Sequence, residues 1–284
     1  MKHATRDRYV TRSVERALSI LQLFALGEAE IGLSEISSRA GLHQSTVFRL
    51  LATLSAAGFT EQSPLTGRYR LGLSALTLGQ AFLRHSDLRQ IAEPALGVLR
   101  DRSGETVHLA TLDGTQVVYL EKLPGLHPIG LMSSRVGDRA PAHCTGLGKA
   151  LLAHQPEAVL RESYRSGLTE FTPRTITRIG PLLAEMEKVR QAGFAVDDEE
   201  HEPGVVCIAA SVSDSRRVVA AISVSGPSER IREKIRRSRL PEQVLAAAND
   251  ISIHLGRAAI PPPVSTQAPP PAPLRRKTTA RKGK

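Results

Sequence analysis

Tryptophan is absent from the 284 residues, rings make up only 4% of them, and cysteine occurs twice. Cys144 and Cys207 are far apart and form no C-x-x-C pair, so a disulfide framework is excluded and a reducing compartment, the cytoplasm, is expected. Scarce rings argue against a pocket built on stacking, although aliphatic side chains hold an aromatic acid equally well. No apolar run approaches the length of a membrane span. The basic start (Lys2, Arg6, Arg8, Arg12, Arg16) followed by Ala17 to Leu26 imitates a secretory leader, but Glu15, Ser19 and Gln22 interrupt it. Val14, Ala17, Leu18 and Leu21 follow helical spacing instead. What is abundant is apolar residues, at 41%, enough to build real cores, and positive charge, at +10 net.

The excess charge is unevenly placed. Residues 1–70 carry nine Lys and Arg against six Asp and Glu, residues 71–255 balance at 22 against 22, and residues 256–284 carry seven against none. Charge alone therefore points weakly to nucleic acid, and a motif must carry that reading. From about Pro261 the chain is rich in Pro, Ala, Lys and Arg with almost nothing to bury, so residues 257–284 are expected to be a disordered basic tail. Residues 95–256 mix strand-like runs (Val107 to Leu112, Gln116 to Leu120, Val218 to Val224) with helical ones (Gly148 to His154, Pro181 to Ala192). Residues 74–94 read as a linker helix, part of a helical stretch from Ser74 to Leu99 broken near Pro94.

Residues 10–73 carry the clearest pattern. Ser13 is expected to cap a helix from Val14 to Phe24; a second helix starts at Ser34 and stops at Gly41, a residue suited to a left-handed turn. A third follows within three residues, about Gln44 to Ala57, closed by Gly58. Two short helices joined by a Gly-containing turn are the helix-turn-helix signature. In the third helix Val47, Leu50, Leu51 and Leu54 recur at i, i+3, i+4, i+7 and must face a core, which leaves Gln44, Ser45, Thr46 and Arg49 outward. Those groups suit a major groove: Gln pairs with adenine, Arg with guanine, and Ser or Thr reach bases or phosphates. Phe59 to Gln62, a turn at Ser63 to Gly67, and Arg68 to Leu71 read as a β-hairpin wing, with Arg68 and Arg70 placed for the DNA backbone. The plainer reading, a protein-contact module with Arg49 a solvated charge, is outweighed by the order and spacing of these signals.

Three further stretches extend the pattern. Pro141-Ala-His-Cys-Thr-Gly-Leu-Gly-Lys-Ala-Leu-Leu-Ala153, Asp197-Asp-Glu-Glu-His-Glu-Pro-Gly-Val-Val-Cys-Ile-Ala-Ala210 and Ala221-Ile-Ser-Val-Ser-Gly-Pro227 resemble successive blocks of the IclR family of bacterial transcriptional regulators, in that family's order over roughly residues 10–255. Ser211 stands where the family often has Pro. The resemblance implies an α+β protein: an N-terminal winged helix-turn-helix followed by a GAF-like effector domain, an antiparallel sheet flanked by helices. It also implies a homodimer or homotetramer on a pseudo-palindromic double-stranded DNA operator, controlled by a small effector of a catabolic pathway. The effector residues it implies are Gly146, Leu147, Asp197, Cys207, Ser223 and Ser225, with Ile129 and Leu131 less securely placed. Unpaired N–H groups at a helix start such as Gly146 suit a carboxylate, and Ser223 and Ser225 alternate onto one strand face. A fixed charge on Asp197 would repel a dianion, which favours a hydroxy-, oxo- or aromatic carboxylic acid.

Other chemistries fit less well. Thr145 to Lys149 imitates a nucleotide phosphate loop, but His143 and Ala150 stand where that motif needs Gly and Ser or Thr. Asp197 to Glu202 with His143, His201, Cys144 and Cys207 could suggest a metal, yet no pair has ligand spacing, and acidic runs are more often solvated loops. An enzyme using Cys207 as nucleophile with a His base would leave the DNA-binding module unexplained, and the run Cys-Ile-Ala-Ala favours a buried, inert thiol. No catalytic residue, metal, cofactor or membrane partner is expected.

Overall fold

The computed structural model describes residues 10–26, 28–126 and 134–256. The first unit is three helices and a hairpin: α1 (Arg12–Leu23), α2 (Leu33–Ala40), α3 (Gln44–Ala56), β1 (Thr60–Gln62) and β2 (Tyr69–Leu71), with a short 3-10 turn Phe24–Leu26 after α1. Its core is Ile20, Phe24, Ile31, Ile36, Val47, Leu51, Leu54 and Tyr69. Val47, Leu51 and Leu54 are the expected inward positions of α3, and Leu50 packs partly against the same cluster. Gly41 ends α2 at φ 62°, a backbone state that a Cβ would strain, and so sets the turn into α3. The cap of α1 differs from expectation: the helix starts two residues earlier, with Glu15 N–H donating to Thr11 O at 3.0 Å, so Ser13 lies inside it and caps nothing.

The connector also breaks elsewhere than expected. α4 (Leu73–Arg84) and α5 (Asp87–Ser103) are separate helices, parted at His85 and Ser86 and not at Pro94. Ser86 caps α5, its Oγ accepting from Arg89 N–H at 3.4 Å. Pro94 is carried inside α5 because Ala92, Ala95, Leu96 and Leu99 bury one face of the helix, which outweighs one lost hydrogen bond.

The second unit is a six-stranded antiparallel sheet in the order β5-β4-β3-β8-β7-β6, built from β3 (Thr106–Asp113), β4 (Gln116–Leu123), β5 (Arg139–Pro141), β6 (Phe194–Asp198), β7 (Val205–Ser213) and β8 (Val218–Pro227). The alternation of each strand divides the sheet into two faces. Val107, Leu109, Val206, Ile208, Ile222 and Val224 pack beneath α5, α9 (Ser228–Arg237) and α10 (Leu240–His254). Ala110, Ala195, Ala209 and Ala221 face α6 (Gly146–Leu152) and α8 (Ile179–Ala192), with α7 (Glu157–Ser163) outside. The expected strands and helices of this half are all present, and the fold is the expected α+β arrangement.

Candidate functional site

The α6 side of the sheet is not filled. On that face the alternation that places Ala195, Ala209 and Ala221 also places Asp197, Cys207, Ser223 and Ser225, in neighbouring register: Asp197 opposite Cys207, Cys207 opposite Ser225, Ala209 opposite Ser223. Small side chains there leave a cavity of about 880 Å³, lined by Gly146, Leu147, Asp197, Cys207 and Ser225 among others. Ser223 lies one layer below, fully buried, its Oγ 3.5 Å from that of Ser225. Ile129 and Leu131 lie outside the described residues.

α6 is held by glycines against β7 and against the short turn at Ala142. A Cβ on Gly148 would lie 2.1 Å from Ala142 O, and one on Gly146 would lie 2.9 Å from Cys207 Sγ. Thr145 caps the helix, its Oγ1 accepting from Gly148 N–H at 3.3 Å. The N–H groups of Gly146 and Leu147 precede any helical acceptor and stay available at the cavity wall.

The electrostatics of the wall correct one expectation. Asp197 is not a fixed charge: burial raises its pKa to about 7, against the hydrogen bond its Oδ1 accepts from Glu200 N–H at 2.8 Å. Burial likewise pushes the Cys207 thiol up to about 11, which makes it a poor nucleophile. Beneath the wall, Lys149 is wholly buried and its ammonium is paired with Glu200 and, at 3.5 Å, with Glu185. That pair ties α6 to the loop after Asp197. Among the described residues no group of three His, Cys, Asp or Glu side chains could hold a metal ion.

In the first unit Gln44, Ser45 and Arg49 are exposed and Thr46 is half-buried at the start of α3. Among the described residues Arg49 joins no ion pair, whereas both wing arginines are engaged within the fold. Arg68 donates to Glu30 O at 3.0 Å and to Glu35 Oε2 at 3.0 Å, and Arg70 pairs with Glu61 at 2.5 Å. Arg68 thus braces the hairpin against α2, a role that only the folded contact reveals. Phe48, 55% exposed on α3, is an outward group absent from the sequence-based set. So are His108, Tyr119, Ser134 and His201 of the cavity wall. His108 alone had a signal, a polar residue inside an apolar strand run.

The model of the IclR helix-turn-helix domain matches residues 13–64, and that of the bacterial transcriptional regulator IclR C-terminal domain matches residues 80–253. The chain belongs to the IclR family of bacterial transcriptional regulators. This IclR-family chain is 38% identical over 254 residues to the HTH-type transcriptional regulator XynR of Escherichia coli strain K12, covering 88% of the chain and 99% of that protein. It is 38% identical over 252 residues to the HTH-type transcriptional repressor AllR of the same strain, covering 88% and 92%. Among solved structures it resembles an IclR homolog from Microbacterium hydrocarbonoxydans complexed with 4-hydroxybenzoate, at 27% identity and a TM-score of 0.73, covering 86% and 98%. The family places an IclR regulator's DNA-binding module in the unit that carries Arg49, and its C-terminal domain in the unit that carries the cavity. No described helix is long and apolar enough to cross a membrane.

Proposed function

We propose that this regulator controls operator binding through a small carboxylate effector held in the cavity between α6 and the sheet, and that it does so in the cytoplasm as a non-enzymatic switch. The observation that carries this is the convergence of the Gly146 and Leu147 N–H groups, Ser225 and the readily protonated Asp197 on one cavity. Free N–H groups take the carboxylate, and Asp197 meets a neutral hydroxyl or oxo group beside it. Effector-bound capture in the Microbacterium homolog supports a hydroxy or aromatic acid as the class.

On the DNA side, Gln44, Ser45, Thr46 and Arg49 read the major groove, Phe48 offers an apolar surface to a thymine methyl, and the wing arginines Arg68 and Arg70, both partly exposed, serve the phosphates. The operator is a pseudo-palindrome because two copies bind it. Their joint is the apolar surface of α4 and α1, where Leu73, Leu76, Leu78, Phe82, Val14 and Leu18 are all exposed in the single chain. Effector binding shifts DNA affinity to the extent that the cavity differs between two arrangements of that dimer, coupled through α4 and α5.

A thermal-shift screen of small carboxylates on wild type and on the double variant Ser223→Ala, Ser225→Ala tests the reading. Carboxylates are expected to raise the Tm of wild type and to raise that of the variant less. Equal stabilisation of both proteins would place the ligand elsewhere.

A further inference from the structure

The cavity wall holds a second polar group, well away from α6. His108 of β3 stands directly opposite Ser223 of β8 and opposite Lys122 of β4, on the face that carries Asp197 and Cys207. It lines the cavity while remaining only 3% exposed. Its Nε2 is 3.0 Å from Ser134 Oγ, and its Nδ1 is buried with no hydrogen-bond partner. Tyr119 packs against the ring with centroids 5.2 Å apart, which fixes its plane. A buried imidazole with one nitrogen unsatisfied is unfavourable for packing alone, and it is suited to a guest that supplies the missing partner.

The ring is neutral. Burial holds its pKa down at about 3, and the Lys122 ammonium adds to that. A neutral imidazole presents one donor and one acceptor, so Ser134 and a guest hydroxyl can share them. It offers no countercharge to a second carboxylate. Arg139, the arginine among the described lining residues, is already paired with Asp113 at 2.5 Å. Position completes the case. Gly146 packs on Cys207 of β7, and His108 is two strands further along the sheet, which is about 10 Å at ordinary strand spacing.

We propose that His108 is a specificity-determining residue of the effector cavity, selecting monocarboxylates that carry a neutral hydroxyl-bearing end remote from the carboxylate. The inference rests on the carboxylate reading above, with Gly146 and Leu147 taking the acid end. A short oxo acid reaches the Gly146 end alone, whereas an acid with a distal hydroxyl bridges both.

Calorimetric titration of the full chain with two matched pairs tests it: benzoate beside 4-hydroxybenzoate for an aromatic guest, and hexanoate beside 6-hydroxyhexanoate for an aliphatic one. Wild type is expected to prefer the hydroxylated member of at least one pair by about tenfold, the worth of one neutral hydrogen bond in a buried site. His108→Phe, which keeps a ring of similar volume, is expected to abolish that preference while still binding the unhydroxylated acid. His108→Asn, with a donor and an acceptor, is expected to restore part of it, and His108→Leu replaces the Phe variant if the latter loses its cooperative melt. An unchanged preference in His108→Phe, or no preference in wild type, would overturn the role of His108 while leaving the carboxylate reading intact. Failure of all four acids to bind wild type would overturn both.

Discussion

Gly146 and Cys207 are in such close contact that the space for one more carbon is missing: a Cβ on Gly146 would come within 2.9 Å of Cys207 Sγ, 3.3 Å of Cys207 O and 3.4 Å of Ala209 Cβ. All three atoms belong to the buried strand β7, and one of them is backbone, so the contact cannot yield as the end of a flexible side chain would. Gly146→Ala must therefore push the first turn of α6 off β7 and displace the N–H groups of Gly146 and Leu147. Effector affinity is expected to fall by tenfold or more, about 1.4 kcal/mol, while operator binding without ligand stays unchanged. Titration of a stabilising carboxylate alongside operator anisotropy checks both halves; an unaltered effector affinity would remove α6 from the site.

Asp197 supplies a pH dependence whose sign is fixed by burial. Its folded pKa of about 7 lies above the ordinary 3.8, so the folded protein holds this proton more tightly than the unfolded chain. The contribution to stability is complete below the ordinary value and is lost as pH rises through about 7. The groups around it, Glu200, the Lys149 ammonium and the Cys207 thiol, are buried with it. A carboxylate guest meets less repulsion when Asp197 is protonated, so its affinity is expected to rise as pH falls from about 8 to about 6. Asp197→Asn should flatten both the Tm and the affinity profiles across that window. A slope surviving in the variant would move the titrating group elsewhere.

The local parts of this structure were legible in the sequence and the long-range parts were not. Gly41 and Gly58 end helices at positive φ because only local backbone demands act there, and Val47, Leu51 and Leu54 sort onto one face by period alone. Asp197, Cys207 and Ser225 came from family motifs, and the strand register then brought them side by side. Ser13 misled because Thr11, two residues earlier, is also of a capping type, and the helix starts there. Pro94 misled because a packed face tolerates a missing N–H. The bracing role of Arg68 was not legible because its carboxylate partner, Glu35, is 33 positions away. His108 had only the signal of a polar residue in an apolar run, because the cavity it lines is assembled from β3, β4, β6, β7, β8 and α6 only on folding.

Arg49 is exposed on α3, in contrast to Arg68 and Arg70 with their carboxylate partners. A free guanidinium near the helix start can pair bidentately with guanine. Arg49→Ala is expected to cost about 1–3 kcal/mol on the specific operator and little on random duplex. Fluorescence anisotropy on both DNAs distinguishes the roles. Equal losses on the two would make Arg49 a phosphate contact, and no loss on either would take it off the interface.

α4 is a 12-residue helix without a single buried residue, although Leu73, Leu76, Leu78 and Phe82 are 79%, 60%, 60% and 62% exposed. An apolar helix of this kind is suited to being covered, and the proposed cover is a second copy of the same surface, which brings matching chemistry. Each large side chain buried there stabilises the joint by about 1.5–3 kcal/mol. Replacing Leu76 and Phe82 together with Asp removes two of these and adds like charges facing one another across the symmetry axis. The variant is expected to sediment as a monomer and to lose at least tenfold in operator affinity, because each half-site is then bound separately instead of through a tethered pair. Effector binding is expected to persist, because neither Leu76 nor Phe82 lines the cavity. A variant that stays dimeric and binds operator as wild type does would place the joint on another face of the chain.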